Sequence, residues 1–132
     1  MIIVNKETII KKINLLNLDK NDFYVLGSAS LVLRGIIDIA HDIDLAITNK
    51  AYLKNKDNLI YLGANHNSKW YKINEEIECC VEDLLDEKVD SGEPFNLINL
   101  EYYYNNFIKE SNREKDKLKK TLLEKILFNK IN

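Results

Sequence analysis

The sequence predicts an α+β domain with a mixed β-sheet of about four to five strands flanked by helices. Two observations lead to this fold class. Short runs of β-favouring residues, several with alternating polar and apolar side chains, occupy the middle of the chain, whereas apolar residues recur at helical spacing near both ends. A length of 132 residues suits one domain and is too short for a second, sizeable substrate domain. We therefore expect residues 1–132 to form a single unit.

The first part of the chain predicts a helix, a strand, a second helix and a second strand. Lys6 to Leu18 carries isoleucines and leucines at helical spacing. Phe23 to Leu26 is a short apolar run that ends at a Gly-Ser pair, which is typical of a strand followed by a sharp turn. Ala29 to Arg34 indicates a brief helix that the next glycine stops. Asp42 to Thr48 alternates with a period of two and predicts the second strand.

The middle of the chain predicts a short helix or turn followed by strands. Asn49 to Asn58 is polar and gives the helix or turn, and Leu59 to Leu62 gives a short strand. Ala64 to Ser68 contains polar turn residues and predicts a loop. Lys69 to Ile73 and Glu76 to Glu82 then indicate two strands of a hairpin.

The C-terminal part predicts a loop and two helices. Glu82 to Glu93 is acidic and loop-like, and Phe95 to Ile98 gives either a final short strand or the lead into a helix. Leu100 to Glu110 and Arg113 to Lys130 have helical patterns. In the last helix the predicted apolar stripe consists of Leu118, Leu122 and Ile126, with Leu123 and Leu127 beside it.

Two short motifs indicate a site that binds phosphate and a metal ion. Gly27-Ser28 lies between a strand and a helix, where backbone N–H groups are free to bind an anion. Asp42 and Asp44 project from one face of a strand, about 7 Å apart along the backbone, which is within reach of a metal ion. A calcium-binding loop is excluded, because apolar Leu45, Ala46 and Ile47 stand where oxygen ligands and a glycine are required.

The order of these motifs resembles the nucleotidyltransferase superfamily with the polymerase-beta-like palm. Its signature is a hydrophobic residue, Gly-Ser, a short helix and then Asp-x-Asp, and this chain has Leu26-Gly27-Ser28 followed by Asp42-Ile43-Asp44-Leu45. The form Gly-Ser-Ala-x-x-x-Leu-Arg-Gly is similar to small bacterial members such as lincosamide-type antibiotic nucleotidyltransferases and abortive-infection toxin nucleotidyltransferases. The resemblance implies a palm core at about residues 23–82 and a helical C-terminal segment at about residues 100–130.

The resemblance also implies a catalytic and metal-binding set. Asp42 and Asp44 are expected to hold Mg²⁺ or Mn²⁺ together with a third carboxylate on a later strand. Glu78 is the candidate for this third acid, and Glu76 would replace it if the strand register slipped by two residues. His41 stands directly before the first aspartate, at a position where relatives often have Ser or Thr.

The nucleotide is expected to bind through a second set of residues. Ser28 and the N–H groups of Gly27 to Ala29 are expected to hold the triphosphate of an NTP. A Lys…Arg-x-Lys-Asp segment, formed here by Lys109, Arg113, Lys115 and Asp116, resembles one that follows the sheet in the small relatives. It implies a substrate or phosphate role for the first two of these residues.

The expected activity is transfer of a nucleoside monophosphate from an NTP to an acceptor hydroxyl. The acceptor stays open between an antibiotic-like small molecule, a tRNA and a protein. The alternative is a catalytically silent binding module with the same fold, such as the antitoxin or partner subunit of a toxin–antitoxin pair. A glycosyltransferase-like Asp-x-Asp protein is the third hypothesis, although the chain is short for one. A homo-oligomer or a cognate partner protein remains open.

Charge and cysteine content set the expected surroundings. With 19 basic and 21 acidic side chains the net charge is −2, so no overall field attracts nucleic acid or an anionic membrane. Cys79 and Cys80 are adjacent, which disfavours a disulfide between them and matches no zinc spacing. No segment predicts secretion or membrane insertion. We therefore expect a cytoplasmic protein.

Overall fold

A computed structural model describes residues 3–65, 68–83 and 86–128. Within these residues the chain forms one mixed sheet of seven strands in the order β3-β4-β5-β2-β1-β7-β6. The strands are β1 (Phe23–Val25), β2 (Ile43–Ile47), β3 (Ile60–Asn65), β4 (Ser68–Lys72), β5 (Ile77–Val81), β6 (Val89–Asp90) and β7 (Leu97–Ile98). The predicted α+β class with a mixed sheet is confirmed, but the predicted number of strands was too low.

Five α-helices accompany the sheet in the described part of the chain. They are α1 (Lys6–Asn14), α2 (Gly27–Leu33), α3 (Asn49–Asn55), α4 (Leu100–Tyr103) and α5 (Lys117–Phe128). Side chains start three of them: Asn5, Thr48 and Asn99 each accept a hydrogen bond from a first-turn N–H group, as N-cap residues do. A five-residue π-helical segment (Tyr104–Ile108) continues α4. None of the described helices is long and apolar enough to cross a membrane.

Two predicted loops contain strand residues. The β6 strand lies in the predicted acidic loop, where Arg34 bonds Asp90 at 2.7 Å and Asn99 bonds it at 3.0 Å. The predicted 64–68 loop is also reduced, because residues 64 and 65 belong to β3 and residue 68 to β4; residues 66–67 lie outside the described residues. Such short extensions have no periodicity of their own, and pairing with a neighbouring strand creates them.

The sheet has two covered faces. Alternate residues of β2 and β5, among them Leu45 and Cys79, join a core that includes side chains of α1 and α2. The residues between them, such as Ala46 and Cys80, belong to a second core with side chains of α4, the π-helical segment and α5. Asp44 has the same parity as Ala46 and therefore lies on this second face, which we call the site face.

The last helix is rotated relative to its predicted apolar stripe. Leu123 is fully buried, but Leu118 is 65% exposed and Ile126 is 49% exposed. The reason is that α5 packs on the π-helical segment through Leu123, which joins Tyr104 and Ile108 in the second core, and through the partly buried Leu127. Helical spacing alone does not determine which of two overlapping apolar stripes turns inward.

Candidate functional site

The turn from β1 into α2 approaches the second strand closely. The Leu26 N–H donates to the Asp44 carbonyl oxygen at 2.8 Å. Gly27 has φ +54°, and a Cβ added there would lie 3.7 Å from Asp44 Oδ2. A glycine adopts this left-handed conformation without the strain that a side chain would bring. The conformation therefore keeps Gly27 and Ser28 beside the carboxylate.

The parallel pairing of β2 and β5 brings two acidic residues together. Asp44 and Glu78 are register partners on these strands. Neighbouring strands lie about 4.8 Å apart and register partners point to the same face, so both carboxylates lie on the site face. Asp42, two residues earlier, is exposed at the start of the strand. The structure thus places the three carboxylates that the sequence singled out in the lining of one cleft.

Asp44 has a raised pKa in this group. Its pKa is raised from 3.8 to about 6 by burial and by the negative charges of Asp42 and Glu78, while Lys115 and Lys119 act in the opposite direction. A carboxylate with a raised pKa is destabilised in its charged form. A cation bound beside it would relieve that cost.

A cleft of about 340 Å³ contains these groups. The turn at Gly27-Ser28 and the three carboxylates line one part of it. Apolar and aromatic side chains line two further parts of the cleft. Ile98, Tyr103 and Phe107 lie on one side, and the β3–β4 hairpin, including Trp70, lies on the other. Polar groups that converge within a partly apolar cleft are typical of a ligand site.

Three cationic side chains lie in the same cleft: Arg113, Lys115 and Lys119. A buried carboxylate, Asp116, organises two of them. It is 1% exposed, it accepts hydrogen bonds from Ser111 Oγ at 2.6 Å and Arg113 Nε at 2.8 Å, and Lys119 Nζ lies 3.5 Å from its second oxygen. These donors and nearby positive charges lower the pKa of the Asp116 carboxyl despite its burial.

The other candidates from the sequence have different places. Ala29 is 1% exposed and packs in the core, so only its backbone faces the turn. Lys109 is exposed and is not among the residues that line the cleft. His41 is exposed next to the first aspartate. Glu76 accepts a hydrogen bond from Lys12 at 2.7 Å, and the observed register pairs Glu78, not Glu76, with the second aspartate.

Two cationic residues of the cleft were missed as site residues by the sequence reasoning. Lys115 lies inside the Arg-x-Lys-Asp segment and received no role, and Lys119 follows Asp116 by three residues, one helical turn. Burial lowers the pKa of Lys119, as do the charges of Lys115 and Arg113. The three-residue spacing between Asp116 and Lys119 was the signal in the sequence. That Asp116 is buried is visible only in the fold.

The carboxylates do not form a complete metal cage. Among the described residues no three His, Cys, Asp or Glu side chains converge as a metal-binding group. Mg²⁺ does not need such a cage, because it is usually bound by one or two carboxylates together with waters and substrate phosphates. Asp42 and Asp44 lie in a cleft that also contains three cationic side chains.

Fold and site together define a small α+β domain with a cleft that is lined by three carboxylates and three cationic side chains. No family model matches the chain, and neither a curated protein nor a solved structure matches it. Membership of the nucleotidyltransferase superfamily therefore stays a prediction from the motifs.

Proposed function

We propose that this protein is a metal-dependent nucleotidyltransferase that transfers a nucleoside monophosphate from an NTP to an acceptor hydroxyl. One observation carries the proposal: a single cleft holds Asp42, Asp44 and Glu78 next to a Gly-Ser turn and three cationic side chains. Metal-binding carboxylates and phosphate-binding cations are the two requirements of phosphoryl and nucleotidyl transfer.

The chain supplies separate groups for the two charges of a metal–NTP complex. Asp42 and Asp44 would hold the Mg²⁺, whose chemistry when bound is to neutralise phosphate charge and to lower the pKa of an attacking hydroxyl. Arg113 and Lys119, held by Asp116, provide charged donors for phosphate oxygens. The N–H groups around Gly27-Ser28 add neutral donors near the same carboxylates.

The proposed reaction balances without a further reactant. The acceptor oxygen forms a bond to the α-phosphorus of the NTP, and the bond from that phosphorus to the bridging oxygen of the β-phosphate breaks. Pyrophosphate leaves with the electron pair. Glu78 is exposed in the cleft and accepts the acceptor's proton before passing it to solvent. NTPs are cytosolic substrates, which suits the expected cytoplasmic location.

A transfer assay tests the proposal. Each of the four α-³²P-labelled NTPs is incubated with the protein, Mg²⁺ or Mn²⁺ and a cytosolic extract as acceptor pool. We expect label to move to an acceptor with the wild-type protein and not with Asp44→Asn or Asp42→Asn. If no label moves, while calorimetry shows that NTP binds equally to wild type and both variants, the protein is a silent binding module.

A matched lysine pair tests the cationic side of the cleft. Lys119→Ala should weaken NTP binding about tenfold, the loss of one charge-assisted contact, because Lys119 lines the cleft. Lys109→Ala serves as control, since Lys109 is exposed outside the lining. Equal loss of affinity in both variants would mean that general charge, rather than the cleft, attracts the nucleotide.

A further inference from the structure

We propose that the acceptor is a polypeptide segment that adds to β3 as an extended strand and presents a hydroxyl side chain at the Trp70 end of the cleft. The transfer step rests on the proposed function, but the docking of the peptide does not. The proposal is built from the order of the strands, the shape of the hairpin end of the cleft and the exposed edge of the sheet.

The order of the strands separates the two sides of the reaction. Across the site face, the Gly27-Ser28 turn follows β1, Asp44 lies on β2, Glu78 on β5 and Trp70 on β4, and β3 is at the edge. Nucleotidyl transfer requires the attacking and leaving oxygens to be roughly in line. If the pyrophosphate leaves at the Gly-Ser turn, the hydroxyl arrives from the opposite side. The acceptor then lies over β4 and β3.

The β3–β4 hairpin forms a largely apolar wall at that side. Leu62, Gly63, Ala64 and Trp70 line the cleft there. A bulge between Tyr61 and Gly63 shifts the register of the pairing, which leaves Leu62 as the extra residue. Bulges bend a strand and redirect its side chains. The residues that follow the bulge, Gly63 to Asn65, line the cleft, and the Trp70 indole N–H donates to the Asn65 carbonyl at 3.1 Å.

The outer edge of β3 has the properties of a strand-docking site. β3 is the terminal strand of the sheet, spans six residues and, among the described strands, pairs with β4 alone. It contains no charged residue and no proline, the features that commonly protect an edge. Ile60, Tyr61 and Leu62 are 60%, 56% and 48% exposed. Backbone N–H and C=O groups on a free edge are satisfied by another extended polypeptide, and apolar side chains on both faces support it.

The same surface suits other acceptors poorly. RNA binds mainly through cations on its phosphates, and β3 has none. Of the two lysines on β4, Lys69 alternates to the face opposite Trp70, and Lys72 is paired with Glu75 at 2.7 Å. The cationic side chains of the cleft come from the segment that leads into α5 and from α5 itself. A small-molecule acceptor is normally enclosed over most of its surface, whereas most of β3 is exposed. A peptide that pairs with the β3 edge and extends beyond the cleft needs neither cations on β3 nor an enclosing pocket.

Peptide docking is tested without nucleotide. The probes are pools of eight-residue peptides with alternating β-favouring residues and one central Ser, Thr or Tyr; the control pools carry N-methyl groups at alternate positions and cannot pair with a strand edge. Binding is followed by the fluorescence of Trp70, the single tryptophan, and by amide hydrogen exchange at residues 60–65. We expect about tenfold slower exchange there with the unmodified pools only.

A matched pair of exposed apolar residues supplies the protein control. Ile60→Lys places a charge on the edge and should weaken peptide binding about tenfold, whereas Leu53→Lys, at a residue that is 55% exposed on α3, should leave it unchanged. The docking proposal is overturned if no pool protects residues 60–65, if N-methylated peptides bind equally well, or if a β3-mediated dimer forms that peptides do not displace.

Adding labelled NTP and Mg²⁺ then separates the two proposals. Label on the docked peptides that is lost in Ile60→Lys and kept in Leu53→Lys supports both. Docking without transfer to any acceptor would contradict the proposed function and leave the docking intact. Transfer to RNA or to a small hydroxyl compound that Ile60→Lys does not affect would overturn the polypeptide acceptor while supporting nucleotidyl transfer.

Discussion

Replacing Asp44 with asparagine should stabilise the metal-free protein at neutral pH. In the folded state this carboxyl is buried beside two other acids and its pKa is about 6, against 3.8 without these surroundings. Asparagine has nearly the same shape but no charge. It therefore keeps the contacts with the Gly27 turn and removes the repulsion with Asp42 and Glu78.

The size and sign of the effect follow from linkage. A shift of about two pKa units corresponds to about 3 kcal/mol, and the partial exposure of Asp44 in the cleft reduces this to about 2 kcal/mol through solvent screening. Below the unfolded-state pKa both states are protonated and the variant gains nothing. The wild-type protein binds the extra proton when folded, so its stability falls as the pH rises through 3.8 to about 6. Above that range the advantage of the variant is constant.

Urea unfolding of both proteins between pH 4 and pH 8, in EDTA, measures this difference. Asp42→Asn is the control, because Asp42 is exposed and its replacement should have a smaller effect. Adding Mg²⁺ at pH 7 should stabilise the wild type and reduce the gap, since a bound cation favours the charged carboxylate. A variant that is less stable than wild type at pH 7.5, or a gap that does not shrink towards pH 4, would refute the electrostatic reasoning.

Three further predictions concern the groups that support the site, each measured as a change in the free energy of unfolding. Gly27→Ala should destabilise the protein by about 1 kcal/mol because Gly27 has a positive φ. Gly92→Ala is the control and should cost little. Its φ is not in the left-handed region, and a Cβ there would be 3.9 Å from the nearest carbonyl oxygen. Asp116→Asn should destabilise the folded protein by about 2 to 3 kcal/mol at pH 7, because it replaces a buried carboxylate that accepts two hydrogen bonds. This effect is opposite in sign to that of Asp44→Asn. An unchanged midpoint of urea unfolding would contradict it. Leu123→Ala should cost about 2 to 5 kcal/mol and Leu118→Ala less than about 0.5 kcal/mol, and equal losses would contradict the observed rotation of α5.

The elements that the sequence predicted well carry local signals. Asn5 caps α1 through its own side chain, and alternation along Ile43–Ile47 is visible without knowledge of the partner strands. The predicted site motifs also depend on local features of the chain. Gly27 has a positive φ at a turn, and Asp44 lies between two buried residues of the same strand. Their residue types and spacing were enough to suggest that they act together.

Tertiary structure alone decided which distant groups meet. The register of β2 and β5 places Glu78 beside Asp44, and nothing within either strand specifies that pairing. The rotation of α5 is set by packing against the π-helical segment, which directs Lys119 into the cleft and leaves Leu118 outside it. The reason is physical: periodicity shows which residues share a face, but the direction of that face depends on the surface it buries.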